Sequence, residues 1–516
     1  MVEAGSLREN IPGTGLDAGT ATVGDLQSAI TSGQLTSADL TAFYLARIER
    51  LNPDLRAVIT VSESAAADAR ASDEARAARA ANAAGDAQSA NWAGPLAGIP
   101  VLIKDNIGVR GMPATAGSPA LQDAENGDAF LVDRLRAAGA IVLGKANLSE
   151  WANFRSTRSS SGWSALGGQA VNPHGAGRNP SGSSSGSAVG VAAGLAPLAV
   201  GTETDGSIIS PASACGIVGV KPTLCLVSRT GIVPISPAQD TAGPMTRSVA
   251  GAAALLGALA GPDPADAATG RAGGQPGDYA AFLDAGALAG ARLGVWRDGS
   301  AAAGPATVAL LDAAVARLRS GGAEVIDPVE FPDADKIGEP EFAALVHEFK
   351  HYLNAYLGAL PGSHPGTLAE LIAFNRSNGS TVLRVFGQEL FEQAEATSGD
   401  LADEAYLAAR GTANRLATTA LDGALQSGRL DAVVALSGSP AWLTDHVLGD
   451  HHLFGTSGPA AVAGYPAISV PAGLVAGLPV GVSFMGPPWS EPRLFALAYA
   501  FEQAGPAPGA RPVLPR

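Results

Sequence analysis

A short apolar run that ends in a lysine constrains the fold of this 516-residue chain more than any other feature. The segment "GIPVLIKDNI" is bounded by Gly and Pro, and its continuous apolar residues predict a strand buried on both faces that ends at Lys104. Downstream, "DAFLVDRLRAAGA" followed by "IVLGK" predicts a helix and then a strand, and "GSAVGVAAGLA" followed by "PLAVGT" predicts the same order again. This alternation of helices and strands predicts an α/β architecture.

The sequence on either side of this alternating region predicts further helices and strands. "TSADLTAFYLARIERLN" has a helical apolar period opened by the capping pattern Thr36-x-x-Asp39, and an Ala/Arg/Asp-rich stretch over 64–84 predicts a surface helix. Pro/Gly/Asp-rich text over 261–279 predicts a surface connection, after which a mostly helical region runs to about Leu425. "DAVVALSG", "YPAISVP" and "GLPVGVSFMG" predict more core strands. Because strand patterns stand before and after the helical region, we predict one domain with an insertion.

Charge and apolar patterning exclude several classes of partner. A formal net charge of −15 and a pI of about 4.9 disfavour nucleic acid and anionic membranes. The longest apolar runs, near 189–201 and 249–261, are shorter than the roughly 18–20 residues that a membrane span needs. The N-terminus has no basic region followed by an apolar one, so we expect a cytoplasmic protein, or a secreted one if a signal peptide has been removed. Cys215 and Cys225 lie in apolar, strand-like text and are predicted to be small buried residues.

The most unusual stretch is rich in Gly and Ser and runs from Gly177 to Gly216. A flexible linker is disfavoured because the stretch interrupts a strand–helix alternation, and a Gly/Ser loop that leads into a helix instead presents free N–H groups. "GSSSG" matches the nucleophile elbow of α/β-hydrolases, centred on Ser184, but that elbow needs an apolar strand directly before it, and "GAGRNPS" is loop text. A His from the later regions would also have to fold back onto it.

A second pattern, "GAIVLGKA" over 139–146, nearly matches the sequence motif of a phosphate-binding loop. Ala146 replaces the Ser or Thr that would hold Mg²⁺, and the residues before the lysine form a strand pattern rather than a loop. We therefore predict no nucleotide site here.

A serine nucleophile needs a proton acceptor, and lysine is the main candidate in this part of the chain. The chain has only five lysines against 28 arginines, and arginine stays protonated near neutral pH. A lysine acts as a base only when burial lowers its pKa. The residues that precede Lys104 in the sequence are the most apolar of the three cases, whereas Lys145 and Lys221 are expected to form strand-end salt bridges.

Taken together, these segments resemble the amidase signature family. "GSSSGSAVGVAAGLAPLAVGTETDGSIISPASACGIVGVKPT" is similar to its signature segment, "GIPVLIKDNI" is similar to its catalytic-lysine strand, and "AAGAIVLGKANLSEW" and "GLPVGVSFMG" also match. The resemblance covers nearly the whole chain and implies an α/β amidase signature fold, with a large mixed β-sheet flanked by helices. It implies a single amidase domain over 1–516, with a signature core at about 90–250 and a helical insertion at about 335–425, which we expect to cap the site.

The resemblance also implies a Ser–Ser–Lys triad in which a cis peptide bond holds the middle serine. Carried onto this sequence, Ser207 in "TDGSI" is the nucleophile, Ser183 in "GSSSG" is the relay, and Lys104 is the base. The backbone N–H groups expected to stabilise the oxyanion are those of Thr204, Asp205, Gly206 and Ser207. Water then hydrolyses an acyl-enzyme, and no metal or cofactor is expected.

Within the family, the text is most similar to the bacterial peptide amidases, which remove the C-terminal amide of peptides. "LSEWANFR", "GWSALGGQ" and "VSRTGIVPISPAQDTAGPM" carry this likeness. Most family members have Gly-Gly before the nucleophile and Arg after "SI"; this chain has Asp205-Gly206 and Ile208-Ile209, a departure that the peptide amidase subgroup shares. Whether Asp205 shapes the leaving-group pocket or braces the loop stays open.

Trp151, Asn153 and Phe154 follow a core strand and are predicted to line the acyl side of the site, although the two aromatic residues suit the core equally well. Alternatives to a peptide amidase are a general amidase or an aryl acylamidase of the same family. An amidotransferase A subunit, which would need partner subunits to make Gln-tRNA, is disfavoured by the negative net charge of the chain. We expect a monomer that takes a peptide amide or another small amide.

Overall fold

The computed structural model describes residues 9–82 and 94–505. The helices of the described part are α1 (Val23–Thr31), α2 (Ser37–Leu55), α3 (Ala65–Asn82), α4 (Phe130–Ala137), α5 (Ser185–Ala192), α6 (Ile209–Cys215), α7 (Val249–Leu259), α8 (Pro305–Ser320), α9 (Gly338–Ala359), α10 (Leu368–Ser377), α11 (Gly379–Val382), α12 (Glu389–Ala396), α13 (Glu404–Gly428), α14 (Gly458–Ala463) and α15 (Glu491–Gln503). The strands are β1 (Val58–Val61), β2 (Pro100–Lys104), β3 (Ile141–Ala146), β4 (Trp163–Ser164), β5 (Gly168–Gln169), β6 (Leu198–Glu203), β7 (Val218–Lys221), β8 (Thr241–Thr246), β9 (Arg292–Val295), β10 (Glu324–Ile326), β11 (Ala432–Leu436), β12 (Ala467–Val475) and β13 (Leu478–Met485).

Eleven of these strands form one mixed sheet in the order β1-β3-β2-β6-β8-β7-β12-β13-β11-β9-β10, and β4 and β5 form a separate ribbon. Strand β2 pairs in parallel with β3 and β6, whereas β8, β7, β12 and β13 continue the sheet in antiparallel pairs. Every residue of β2, β3 and β6 is buried, as expected for central strands covered on both faces. The predicted α/β fold with a large mixed sheet is confirmed.

The apolar runs in the sequence correctly predicted the positions of the central strands. Strand β2 ends at Lys104, the run "GAIVLGKA" contains strand β3, and the small-residue helix α5 leads to strand β6 as predicted. The capping pattern before α2 is formed in part, because the Thr36 hydroxyl accepts from the backbone N–H of Asp39 and also donates to the Asp39 carboxylate.

The region predicted as mostly helical after residue 279 also contains two short strands that the sequence did not indicate. Strands β9 and β10 lie at the far edge of the sheet and are separated by helix α8. Their sequences, "RLGV" and "EVI", are too short to show an alternating pattern, and exposed Glu324 in β10 reflects its position as the last strand. Parallel pairing with a neighbouring strand, rather than a local signal, forms them.

Helices α9 to α13 occupy the span predicted as an insertion, and α9 contacts α10, α12 and α13. Helices α9, α10 and α12 share a separate apolar core that includes Leu345, Phe349, Leu371 and Phe391. The chain after β3 joins this core, because Trp151 contacts Phe391 edge-on at a ring-centroid distance of 5.6 Å.

Two further predictions concern the cysteines and membrane-spanning helices. Cys215 and Cys225 are both free and buried. No helix within residues 9–82 and 94–505 is long and apolar enough to cross a membrane.

Candidate active site

Lys104 ends strand β2 with its side chain wholly buried among polar groups of the neighbouring strand. Its Nζ lies 2.8 Å from the Ser183 Oγ, 2.8 Å from the Thr202 Oγ1 and 3.1 Å from the Thr202 carbonyl oxygen. Burial lowers the pKa of Lys104 to about 7, although Glu203 and Asp240 partly oppose this. A substantial neutral fraction is therefore present near neutral pH.

The hydrogen bonds of this amine decide where its lone pair points. A neutral amine has two N–H donors and one lone pair, and a carbonyl oxygen can only accept. The Thr202 carbonyl must therefore receive an N–H, and the lone pair faces a hydroxyl. The Thr202 hydroxyl already accepts from the Asn106 Nδ2 at 2.9 Å. When Lys104 donates to both oxygens of Thr202, its lone pair is left to accept from the Ser183 hydroxyl.

The three consecutive serines have three different environments. The Ser183 hydroxyl reaches Lys104, and the peptide bond between Gly182 and Ser183 is cis. The Ser184 hydroxyl donates to the Thr202 carbonyl (3.0 Å) and accepts from the Thr202 N–H (3.2 Å), while the Ser185 hydroxyl donates to the Ser181 carbonyl (2.6 Å). The hydroxyls of Ser184 and Ser185 hydrogen-bond to backbone groups, so Ser183 is the one serine of the three whose hydroxyl contacts the buried amine.

Ser207 stands in a tight turn between strand β6 and helix α6. The buried Glu203 carboxylate accepts from the backbone N–H groups of Ile208 (2.7 Å) and Ile209 (3.0 Å), which fixes the far side of the turn. Gly206 has a φ of 75°, and a Cβ at this position would lie 2.9 Å from the Ser457 Oγ. Among the described residues, no acceptor takes the backbone N–H of Thr204, Asp205, Gly206 or Ser207, the four donors predicted from the sequence. The turn therefore presents unpaired donors beside Ser207.

The two proposed catalytic serines are neighbours without a direct hydrogen bond between their hydroxyls in the described part of the chain. The Ser184 N–H donates to the Ser207 carbonyl at 3.1 Å, so the two loops are joined by backbone. Ser183 and Ser207 both line a small cavity of about 80 Å³ together with Asn106, Thr204 and Asp240. The Thr204 hydroxyl donates to Asp240 at 2.6 Å, and burial raises the pKa of Asp240 to about 6.

Ser207 also lines a much larger cavity of about 800 Å³. Its wall includes four carboxylates and four bulky aromatic side chains, and no lysine or arginine of the described residues lines it. The carboxylates belong to Asp205, Asp298, Asp335 and Glu341, and the aromatic side chains belong to Phe154, Trp296, Phe331 and Trp442. The Ser457 hydroxyl donates to the Asp205 carboxylate, which thereby braces the turn before Ser207.

The predicted acyl-side residues occupy different positions. Asn153 and Phe154 line the large cavity, whereas Trp151 does not; it is 2% exposed and packs in the core of the helical insertion. Trp151, Ala152 and Asn153 have φ values of 51°, 53° and 69°, a left-handed turn that is costly for non-glycine residues. The turn directs Trp151 inward and Asn153 outward, which sequence spacing alone could not indicate.

The other two buried strand-end lysines are held differently. Lys145 forms an ion pair with Asp105, with 3.0 Å between Nζ and Oδ1, as expected from the sequence. Lys221 forms no ion pair within the described residues, and its Nζ donates to the Pro222 carbonyl at 3.2 Å. Burial lowers the pKa of Lys221 to about 8, and Glu203 and Glu491 oppose this from a distance.

Three residues of this arrangement were missed by sequence reasoning: Thr202, Glu203 and Asn106. Thr202 and Glu203 end strand β6, and Asn106 follows strand β2, so all three lie at the same edge of the sheet as Lys104. Polar residues at the ends of adjacent buried parallel strands are a usable signal, because those ends meet in space.

Comparison with known proteins is consistent with this geometry. The family model described as Amidase matches residues 39–495. A peptide amidase of Stenotrophomonas maltophilia has a solved structure that is 48% identical, with a TM-score of 0.88, over 95% of this chain and 98% of that one. A probable amidase of Arabidopsis thaliana is 41% identical over 94% of this chain and 90% of its own length. The A subunit of the glutamyl-tRNA(Gln) amidotransferase of Symbiobacterium thermophilum is 35% identical over 95% of this chain and 98% of its own length.

Proposed function

Since the chain belongs to the amidase signature family and is an amide-hydrolysing enzyme, we propose that it removes the C-terminal amide of peptides, releasing a free acid and ammonia. The observation that carries the chemistry is the buried Lys104 Nζ, which lies 2.8 Å from the Ser183 Oγ, together with the small cavity that Ser183 and Ser207 both line. Similarity to the Stenotrophomonas maltophilia peptide amidase supports the substrate class.

In the proposed first half-reaction, the Ser207 Oγ attacks the carbonyl carbon of the amide. The proton of Ser207 passes to the Ser183 Oγ, and the proton of Ser183 passes to the Lys104 Nζ, which becomes an ammonium. The carbonyl oxygen gains negative charge and is stabilised by unpaired N–H groups of the turn Thr204 to Ser207, each donor that reaches it being worth roughly 3 kcal/mol.

Collapse of this intermediate breaks the C–N bond. The leaving nitrogen takes a proton from Ser183, which is reprotonated by Lys104, so ammonia leaves and the amine is neutral again. Water then attacks the ester on Ser207 with the same relay as base and acid. The product is a carboxylic acid, which then loses its proton to solvent, and each proton that Lys104 accepts is returned to Ser207 or to the leaving nitrogen.

Two features of the cavities favour a peptide amide over other amides. The cavity of about 80 Å³ beside both serines has room for ammonia and water but not for a second peptide segment, whereas the cavity of about 800 Å³ can hold several residues on the acyl side. Because four carboxylates and, among the described residues, no lysine or arginine line the larger cavity, a substrate with a free carboxylate, such as glutamine, meets unfavourable charge there. This disfavours the role of an amidotransferase A subunit.

The test is ammonia release by the purified chain without partners from four substrates: a dipeptide amide, an aliphatic amide, glutamine and an anilide, for which aniline is measured. We expect the highest kcat/KM for the dipeptide amide and no turnover by Ser207→Ala. A higher kcat/KM for the anilide or the aliphatic amide would identify a general amidase or an aryl acylamidase. Turnover of glutamine alone would identify an amidotransferase component.

A further inference from the structure

Glu341 is a nearly buried carboxylate that still reaches the substrate cleft. It lies in the first turn of helix α9, is 7% exposed, and lines the cavity of about 800 Å³ together with Ser207. Its Oε1 accepts from the Gln239 Nε2 at 2.7 Å, whereas its Oε2 has no hydrogen-bond donor among the described residues. Because Oε2 is accessible to solvent and the space that Glu341 lines is the cleft, this oxygen is available to a bound substrate.

The side-chain amide of Gln239 holds this carboxylate beside the catalytic turn. The same Nε2 that donates to Glu341 also donates to the Thr204 carbonyl oxygen at 3.3 Å, and Thr204 begins the turn that carries Ser207. The Gln239 Oε1 accepts from the Arg410 guanidinium at 2.5 Å, which fixes the orientation of the amide. Glu341 therefore has a defined position relative to the turn of the proposed nucleophile.

The charges around Glu341 favour a cation in the cleft. Burial and the neighbouring Asp205 carboxylate raise the pKa of Glu341 to about 8. Arg410 opposes this only in part, because its guanidinium is bound by Glu348 and Gln239. No lysine or arginine of the described residues lines the cavity, so a positive group on the substrate would be the closest partner for the free oxygen.

Aliphatic side chains accompany this carboxylate along the cleft wall. Leu345 follows Glu341 by one helical turn, so both lie on the same face of α9, and both line the cavity. Ile235 belongs to the same apolar cluster as Leu345 and also lines the small cavity that contains Ser207 in its wall. This wall suits a side chain that has methylene groups near its backbone and a charge at its end.

We propose that Glu341 selects peptide amides whose C-terminal residue has a cationic side chain, arginine or lysine. The inference rests on the proposed function and names a substrate preference of the same site. The methylene groups of the substrate side chain lie against Ile235 and Leu345, and its guanidinium or ammonium donates to the Glu341 Oε2. Because charge-assisted hydrogen bonds are stronger than neutral ones, an uncharged side chain of the same shape binds less tightly.

The test compares two acetylated dipeptide amides, acetyl-Ala-Arg-amide and acetyl-Ala-citrulline-amide. Citrulline has nearly the shape of arginine without its charge, and the acetyl group removes the N-terminal ammonium. At pH 9, above the pKa values of about 7 for Lys104 and about 8 for Glu341, we expect kcat/KM to be about tenfold higher for the arginine substrate, through a lower KM. A ratio near one for the unmodified enzyme would overturn the proposal.

Two variants test whether the preference comes from Glu341. Glu341→Gln keeps an acceptor for Gln239 but has no charge, so the arginine-to-citrulline ratio should fall to about twofold or less. Glu341→Asp keeps the charge but withdraws it by one methylene group, and the ratio should fall to about threefold. The second variant also serves if the first does not fold. An unchanged ratio of about tenfold in either folded variant would contradict the assignment.

A matched control lies in the same helical turn. Glu339 is exposed and does not line the cavity, so Glu339→Gln removes the same charge from the same turn and should keep the ratio of about tenfold. An equal loss in Glu339→Gln and Glu341→Gln would show that net charge alone attracts arginine, and the assignment would fail.

Failure of this inference differs from failure of the proposed function. If both acetylated dipeptide amides are hydrolysed with equal kcat/KM, the role of Glu341 is wrong and the proposed function stands. If neither is hydrolysed, both are wrong.

Discussion

Lys104 and Lys145 end adjacent parallel strands, are both wholly buried, and yet have opposite surroundings. Lys145 lies 3.0 Å from the Asp105 carboxylate, whereas Lys104 contacts hydroxyls and a carbonyl. Burial lowers the pKa of both amines, and Asp105 opposes this for Lys145 by stabilising its ammonium at short range. Two lysines at the ends of neighbouring strands can therefore differ in charge stabilisation: Lys145 contacts a carboxylate, whereas Lys104 contacts hydroxyls, as the proposed role of Lys104 as a base requires.

The largest expected effect is the loss of activity when Lys104 is replaced. Lys104→Met should lower kcat/KM at pH 8 by roughly 10³-fold or more, because the relay loses its proton acceptor. The melting temperature should not fall, since methionine fills the site without an amine to desolvate. Steady-state kinetics and thermal unfolding measure the two effects. Activity within tenfold of the unmodified enzyme would show that another group is the base.

Lys145→Met should instead affect folding. Removing Lys145 leaves the Asp105 carboxylate buried without its cation, and breaking a buried pair costs about 3–5 kcal/mol of unfolding free energy. Denaturant unfolding measures the change, and Lys145→Met/Asp105→Asn should recover part of it. A fully stable Lys145→Met with strongly reduced kcat/KM would mean that the two lysines do not have separate roles.

The pH dependence should report Lys104. Its pKa is about 7, and the base is active only when neutral, so kcat/KM should fall about tenfold per pH unit below 7 and level off above it. The measurement is a pH–rate profile on a neutral dipeptide amide, with Lys145→Arg as the variant whose profile should keep the same acid limb. An acid limb below pH 5 would instead indicate a carboxylate.

The smallest effect should come from Thr202, the other hydroxyl at the amine. Thr202→Val removes an acceptor that stabilises the ammonium, so the pKa of Lys104 should fall and the acid limb should move to lower pH. We also expect kcat to drop about tenfold, because the amine is held less firmly. Thr202→Ser keeps the hydroxyl and should retain the original limb. An unmoved limb in Thr202→Val would show that Thr202 does not position Lys104.

Much of the fold was predictable because its signals are local. The apolar runs that became β2, β3 and β6 are long enough, and sufficiently bounded by Gly and Pro, to be recognised without neighbours. Strands β9 and β10 had no such signal, because three or four residues at a sheet edge depend on pairing with a distant segment. For the site, the motif likeness indicated Lys104, Ser183 and Ser207, but Thr202, Glu203 and Asn106 have no motif of their own.

The sequence by itself determined which residues end the central strands and which segments form loops, because hydrophobic periodicity and turn residues are signals that extend over only a few positions. The motif likeness indicated Lys104 and Ser183, but only the tertiary structure shows that Lys104 contacts the Ser183 hydroxyl while Lys145 contacts a carboxylate. It also decided that Trp151 points into the core while Asn153 reaches the cleft. These outcomes depend on distances between segments about 80 to 100 residues apart, such as Lys104 and Thr202, and those distances are set by strand pairing across the sheet.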